Sequence, residues 1–217
     1  MSQPGYLIRR ITDPAEDMAL LDLDDVKAIL GIDPGDTSND AALEILIGSV
    51  SDAIRNYCDR QLVVQGYRDQ YRGVYLGLYQ PIRCFETPLQ PADPGTPDVP
   101  DLTVSIDGNL LDPAAYEVNF ETGEIYLIEG VWSGLVVLEY TAGYEPMPED
   151  LIAVANEWVS ERWLARDRDP AVRTETVSDA MTVSYNQASG TSGTDADYLL
   201  PPDFVTAGLV TYRRQSV

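Results

Sequence analysis

The apolar periodicity of the chain changes twice, and these changes constrain the fold more than any other feature. Between residues 39 and 60 the apolar residues recur three and four positions apart, which predicts one long helix with a single buried face. Residues 61–144 are short Tyr- and Val-rich segments separated by Asp, Pro and Gly, as is typical of strands and turns. Helical spacing returns over 148–166. We therefore expect an α+β fold in which a small β-rich unit is inserted between helices.

Two shorter helices are predicted outside these segments. Asp22 is a suitable N-cap for a helix that ends at Gly31. Pro201 and Pro202 open a last short helix that continues to Arg214. The chain thus has three to four helices, and they come from regions far apart in the sequence.

The β-rich segment is predicted to contain several short strands and one long loop. The sequence indicates two strands over 62–79 and then an exposed Pro- and Asp-rich loop over 86–101. A strand over 102–106 is followed by an Asp107-Gly108 hairpin turn, and a second hairpin joins 116–120 to 124–128. A strongly apolar strand follows over 135–140.

Both ends of the chain lack a clear pattern. Residues 1–21 are predicted to form an extended arm, with regular structure beginning at Leu21. A polar segment with a Ser/Gly/Thr tract is predicted to be a flexible arm that one strand, 181–185, interrupts. The expected division is an N-terminal arm (1–21), a first helical part (22–60), the β-rich unit (61–144), a second helical part (145–166), the flexible arm (167–200), and a C-terminal helix and tail (201–217).

The charge of the chain limits its partners. There are 36 acidic and 14 basic residues among 217, and the net charge is −22. A protein this acidic repels phosphate backbones, so specific nucleic-acid binding is not expected. Thirteen of the basic residues are Arg and one is Lys27.

The residue types argue against several classes of enzyme. Without histidine the chain has no Ser-His-Asp or Cys-His catalysis and no His-ligated metal. Cys58 and Cys84 have no metal-ligand spacing and are expected to be reduced thiols. No phosphate-binding or dinucleotide motif is present, so no cofactor is expected. No apolar run is long enough to cross a membrane, and the N-terminus is unlike a signal peptide, which predicts synthesis in the cytoplasm.

Three other features have an ordinary structural interpretation. Lys27 could serve a Ser-Lys pair, but on a short capped helix a solvated side chain is expected. Trp158 and Trp163 lie at positions where aromatic residues usually pack in a core. Tyrosines at 67, 71, 75 and 79 are expected to serve packing or a protein interface. A carboxylate-dependent hydrolase stays an alternative, although no pair of carboxylates is favoured by its spacing.

Three stretches of the sequence are informative when they are taken together. The first is residues 23–32, followed by an Asp-rich turn and a helix that ends in Ile-Arg-Asn-Tyr-Cys-Asp-Arg at 54–60. The second runs from the Asp-Gly turn at 107 through Leu-Asp-Pro-Ala-Ala-Tyr at 111–116 to Tyr-Thr-Ala-Gly-Tyr at 140–144 and Met-Pro-Glu-Asp-Leu at 147–151. The third is the closing Leu-Leu-Pro-Pro helix with Tyr-Arg-Arg at 212–214. In this order and spacing, the three stretches resemble the head–tail connector (adaptor) proteins of tailed phages.

The resemblance implies a non-enzymatic virion protein of the neck. Its helices would form a bundle that packs side by side into a dodecameric ring, and the ring would bind the portal protein and meet a stopper or tail protein. DNA would pass through an acidic channel without specific binding. The C-terminal segment would dock on the portal, and we assign that role to Phe204, Val205, Leu209, Tyr212, Arg213 and Arg214.

Within the same class, a neck stopper or a tail-terminator protein is the alternative. Those proteins are typically dominated by β-structure without flanking helices. The helix content of the chain therefore bears on the choice between them and an adaptor.

Overall fold

A computed structural model describes residues 7–77, 80–93, 95–166 and 201–214, and the backbone alone of 174–177 and 181–184. The chain divides into two compact units. The first, the β-rich unit, comprises Met1–Met18 and Arg60–Pro148, and the second, the helical unit, comprises Ala19–Asp59 and Glu149–Val217. Helices and antiparallel sheets are both present, which confirms the α+β class.

The described part of the helical unit contains four helices close to the predicted positions. They are α1 Leu23–Leu30, α2 Asp40–Cys58, α3 Glu149–Ala165 and α4 Asp203–Leu209, the last continued by a 3-10 turn at Val210–Tyr212. Helix α3 contacts each of the other three, and α1 also contacts α2. None of the helices in the described ranges is both long and apolar enough to cross a membrane.

The buried faces of α2 and α3 follow the helical period seen in the sequence. On α2 the residues at 43, 47, 50 and 54 are at most 3% exposed. On α3 Trp158 is buried, which confirms its predicted place in the core. Trp163 is only partly buried, and the guanidinium carbon of Arg166 lies 3.3 Å from the centroid of its ring. Burial of these apolar stripes stabilises the unit, because most of the stability of a helix in a protein comes from the packing of its apolar face.

The prediction that Lys27 is solvated is wrong. Its side chain is 1% exposed, and its Nζ donates to Asp40 Oδ1 at 2.7 Å and to the carbonyl of Pro34 at 3.2 Å. Asp22 caps α1 by accepting from the backbone N–H of Asp24, and Gly31 ends the helix with a φ of 70°. The Asp-rich turn supplies the carbonyl of Pro34 and the first residue of α2 supplies the carboxylate of Asp40, and these two partners make burial of the ammonium charge tolerable.

The β-rich unit contains two antiparallel sheets in its described residues. The first has five strands in the order β1-β2-β8-β4-β5, and the second has three in the order β3-β7-β6. Their bounds are β1 Leu7–Asp13, β2 Gln65–Leu76, β3 Ile82–Arg83, β4 Leu102–Ile106, β5 Asn109–Leu110, β6 Tyr116–Val118, β7 Glu124–Leu127 and β8 Trp132–Ala142. A separate two-stranded sheet pairs β9 Thr174–Val177 with β10 Met181–Ser184.

Part of the predicted extended arm, residues 7–13, is a strand of the first sheet. Residues of β1 pair antiparallel with β2, from Leu7 opposite Tyr71 to Asp13 opposite Gly66, so regular structure begins before the predicted Leu21. The strand was missed because most of its side chains are exposed and Arg9 and Arg10 interrupt any alternation of apolar and polar residues. Its hydrogen-bonding partner, β2, is distant in sequence, so the pairing could not be predicted from a local sequence pattern.

The segment predicted to hold two strands forms one long strand with a bulge. Tyr71 pairs with Val136 and Val74 with Gly134, so two residues of β2 lie opposite one residue of β8. Gly73 adopts a φ of 69°, as the glycine-containing type of bulge does and as a residue with a side chain would resist. The bulge therefore bends one continuous strand where two were predicted.

The loop predicted over 86–101 is exposed only in its later part. Glu86 and Leu89 are 1% and 3% exposed, and Leu89 forms an isolated bridge with Ala142 of β8. The predicted hairpins are confirmed, since β4 pairs with β5 and β6 with β7. The turn at Asp107 and Gly108 has two positive φ values, as the favoured two-residue hairpin turn requires.

Two buried carboxylates, Asp69 and Glu86, form a polar centre in the β-rich unit. Asp69 is fully buried, and its Oδ2 accepts from Tyr140 Oη at 2.7 Å and from the backbone N–H of Phe85 at 2.9 Å. Next to it, Glu86 is ion-paired with Arg9, whose guanidinium also lies over the ring of Phe85. These contacts fix the start of the 86–101 segment against β1, β2 and β8. Burial raises the pKa of Asp69, and Glu86 adds to that effect.

The predicted tyrosine series divides at the bulge. Tyr67 and Tyr71 are buried, which confirms packing for these two, and Tyr67 stacks on Tyr140 with ring centroids 5.6 Å apart. Tyr75 is 79% exposed, and residue 79 lies outside the described residues. Both cysteines are free and buried. The predicted flexible arm over 167–200 lies outside the described residues except for the backbone of β9 and β10.

Replacing Asp69 by Asn tests the polar centre through the pH dependence of stability. The folded state raises the pKa of this carboxyl, so the folded protein holds the proton more tightly and its free energy of unfolding falls as pH rises from about 4 through the raised pKa. Asn keeps an acceptor for Tyr140 and Phe85 but carries no charge. We expect the free energy of unfolding of Asp69→Asn not to show this fall. In the wild type the fall should amount to about 1.4 kcal/mol for each unit by which the folded-state pKa of Asp69 exceeds its unfolded-state pKa.

Urea unfolding between pH 4 and pH 7 measures this difference. The exposed Asp98→Asn serves as the control, and its curve should run parallel to that of the wild type. A parallel curve for Asp69→Asn as well would contradict the proposed raised pKa.

Candidate functional site

The C-terminal helix, to which the sequence assigned a docking role, has one buried face. Val205 and Leu209 are fully buried and Tyr212 is 8% exposed, and their spacing of four and three residues places them on one side of α4 and its 3-10 turn. At Gly208 the helix approaches α3 so closely that an added Cβ would lie 2.6 Å from Val154 Cγ2. These residues hold α4 within the helical unit.

The end of α4 is also held by polar contacts. Tyr212 Oη donates a hydrogen bond to Asp150 Oδ1 in the first turn of α3. Arg214 donates from its backbone N–H to the carbonyl of Cys58 at 2.8 Å, and from Nε to the carbonyl of Asp59 at 2.7 Å. The Arg214 side chain therefore satisfies a carbonyl at the C-terminal end of α2, where cations are favoured.

The opposite face of the same segment is open. Phe204 is 39% exposed, Val210 is 63% exposed, and Arg213 is exposed with its guanidinium carbon 5.5 Å from the centroid of the Tyr57 ring. The structure thus separates the six predicted docking residues into two groups. Phe204 and Arg213 can touch a partner directly, whereas the other four are engaged within the helical unit. Their docking role stays a prediction.

Exposed apolar side chains on the other helices were not singled out from the sequence. Ile29 of α1, Ile45 of α2 and Leu164 of α3 are 55%, 75% and 66% exposed. Each lies outside the buried stripe of its own helix, and this position could have indicated from the sequence that the side chain is exposed. Together with Val210, these residues place one large aliphatic side chain in water on each of α1, α2, α3 and the turn after α4.

Within the described ranges, no carboxylates come together in an accessible site for hydrolysis. Asp69 and Glu86 come together, but they are fully buried and 1% exposed, and their partners are structural. Because Asp69 is fully buried, a substrate cannot reach the carboxyl whose pKa is raised. Among the residues whose placement is described, no group of three or more Cys, Asp and Glu residues is arranged to hold a metal ion.

The sequence of the first helical part matches a known protein family. Residues 20–80 match the model of the family described as phage gp6-like head-tail connector protein. The match covers α1, the Asp-rich turn, α2 and the whole of β2. The second and third stretches that resemble connectors lie outside it. None of the curated proteins matches the chain significantly in sequence.

The fold resembles chains from gene transfer agent particles. A chain in the virion of a native gene transfer agent (GTA) particle is 14% identical with a TM-score of 0.57, and one in the neck of an empty GTA particle computed with C6 symmetry is 15% identical with a TM-score of 0.54. A third, in the neck of a native GTA particle computed with C12 symmetry, is 14% identical with a TM-score of 0.51. Each alignment covers 97% of both chains.

These similarities concern both the sequence and the fold. The structural alignments extend over nearly the full length, so the β-rich unit and the helical unit are both shared with the chains of those particles. Residues 20–80 of this chain are similar to the phage gp6-like head-tail connector proteins, which confirms the family resemblance predicted from the sequence.

Proposed function

We propose that the chain is a structural, non-enzymatic component of the neck of a phage-like particle, where it acts as the head–tail connector. Its subunits form a ring that binds the portal protein on one side and a stopper or tail protein on the other. Two observations together support this proposal. Residues 20–80 match the connector family, and the fold is shared with chains of GTA particles along almost the whole length. Such a protein resides in the neck of the virion.

Ring formation is supported by the surface of the helical unit. Each of α1, α2, α3 and the turn after α4 exposes one large aliphatic side chain, at positions 29, 45, 164 and 210. Single exposed apolar residues are common, but side-by-side packing of a helical bundle would remove these four from water. A chain similar in fold comes from a neck computed with C12 symmetry, which is consistent with a dodecameric ring matching the portal.

The adaptor is favoured over a neck stopper or a tail terminator by the helices that flank the β-rich unit. Helix α2 precedes the inserted segment, α3 follows it, and the two contact each other. Proteins of the alternative classes are typically dominated by β-structure. The connector-family match covers the helical segment before the insertion, in agreement with the adaptor.

Portal docking is proposed for the open face of the C-terminal segment. Phe204 offers an aromatic anchor of the kind that dominates interfaces, and Arg213 can pair with a carboxylate of the portal. The buried Val205, Leu209 and Tyr212 act by holding this face in place. Arg214 contributes by fixing the end of the segment on α2.

Phe204→Asp tests the docking face. We expect it to weaken binding to assembled portal rings at least about tenfold while leaving the melting temperature near the wild-type value, because the side chain is already partly in water. Leu110→Asp, at a 71% exposed position of β5 in the other unit, is the matched control and should bind as the wild type does. Sedimentation of the chain with portal rings measures both. Undiminished binding by Phe204→Asp would overturn this assignment.

The net charge of −22 supports an acidic channel through the ring. Carboxylates around the channel would repel DNA phosphates over a Debye length of about 8–10 Å, so that DNA passes without being held. Changing channel-lining acids to Lys should slow DNA ejection in single-particle fluorescence. Ejection at the wild-type rate in those variants would contradict the channel role of the charge.

A further inference from the structure

The hairpin formed by β9 and β10 pairs with nothing else in the described residues. Its four-residue strands pair from Met181 opposite Val177 to Ser184 opposite Thr174, and no third strand joins them. A two-stranded hairpin alone is at best marginally stable in water. Each of its strands leaves one row of backbone N–H and C=O groups without a strand partner, and such a row is suited to pairing with another sheet edge.

Strand β1 offers the acceptor edge. It lies at the outer end of the five-stranded sheet, seven residues long, with β2 on one side and no strand on the other in the described part of the chain. The other outer strands of the two larger sheets are β5, β3 and β6, with two, two and three residues. Among these outer strands, β1 is long enough to pair along the whole of a four-residue strand, and the other three are not.

The charges along this edge favour an acidic strand. Arg10 of β1 lies opposite Arg68 of β2, and Arg68 Nη1 is 3.3 Å from Glu139 Oε1 of β8. Arg10, Arg68 and Glu139 therefore lie in one row across the sheet. The two positive charges, Arg10 and Arg68, are neighbours at the edge of the sheet. Arg10 is exposed and forms no ion pair with a described residue. Like charges directly opposite each other destabilise a strand pair, and an added carboxylate would compensate them.

We propose that, in the assembled ring, β9 of one subunit adds to the outer edge of β1 in a neighbouring copy, in the register that sets position 175 opposite position 10. Glu175 is the charged residue of β9, so this register extends the row to Glu175, Arg10, Arg68, Glu139. Backbone hydrogen bonds supply the association, and opposite charges at the paired positions favour this register over its neighbours. The inference rests on the proposed ring, and it identifies a strand exchange that links one subunit to the next.

A zero-length crosslink tests the contact. In Arg10→Lys the positive charge is kept and an amine is introduced at the edge, and a carbodiimide joins an amine to a carboxylate that touches it. The native chain has a single lysine, Lys27, which is 1% exposed, so the background is low. Rings are assembled on portal from a mixture of ¹⁵N-labelled and unlabelled Arg10→Lys chains, crosslinked, digested and analysed by mass spectrometry.

The expected product is a peptide pair joined between positions 10 and 175 in which one partner is labelled and the other is not. Arg72→Lys, at an exposed position of β2 beyond its pairing with β1, is the control and should give no link to 175. Rings that form without the 10–175 link, or that carry it only within one chain, overturn the strand exchange and leave the connector function intact. If no ring forms on the portal, the proposed function itself fails, and the exchange with it.

A charge swap gives an independent readout. Arg10→Glu should lower the yield of rings, and the combination Arg10→Glu with Glu175→Arg should restore it. Arg72→Glu makes the same change in net charge away from the edge and should leave the yield unchanged. Equal yields in all variants would mean that Arg10 serves only to keep the edge from pairing, a common use of charged residues on edge strands.

Discussion

The pairing of β2 with β8 is the interaction on which the rest of the structure depends. These two strands, twelve and eleven residues long, align from Gln65 opposite Ala142 to Leu76 opposite Trp132. Beyond their paired ends, Tyr144 N–H donates to the carbonyl of Leu62 at 2.8 Å, so the inserted segment is closed where the chain enters and leaves it. Since the insertion is closed in this way, α2 and α3 remain neighbours in the helical unit although a whole sheet separates them in sequence. Strands β1 and β4 then add to the two sides of this pair, and the Asp69–Tyr140 contact anchors the 86–101 segment on it.

Elements that depend on local signals could be predicted from the sequence, and elements that depend on distant partners could not. The faces of α2 and α3, the stop at Gly31 and the turn at Asp107 and Gly108 all follow from spacing or backbone chemistry within a few residues. Strand β1 becomes a strand only because β2 presents a free edge to it. The same reason explains the burial of Lys27, whose acceptors come from the next turn and helix, and of Glu86, which is paired with Arg9 across the sheet.

The helical form of the C-terminal segment was predictable from the sequence, whereas its docking role stays a prediction. The C-terminal segment was correctly expected to be helical, and its own periodicity separates Val205, Leu209 and Tyr212 from Phe204 and Arg213. What a single sequence does not contain is the surface of the partner. Nor does it contain the mutual placement of Ile29, Ile45 and Leu164, which belong to helices that meet only in the folded unit. A connector acts through contacts between chains. The fold of a single chain shows only which side chains are exposed and can make such contacts.

The most direct test of the neck assignment is immunogold electron microscopy of intact, purified particles with an antibody raised against this chain. Gold is expected at the junction of head and tail, on particles that retain both. Intact particles that carry no label at that junction, with the antigen found only as free protein in the lysate, would contradict it.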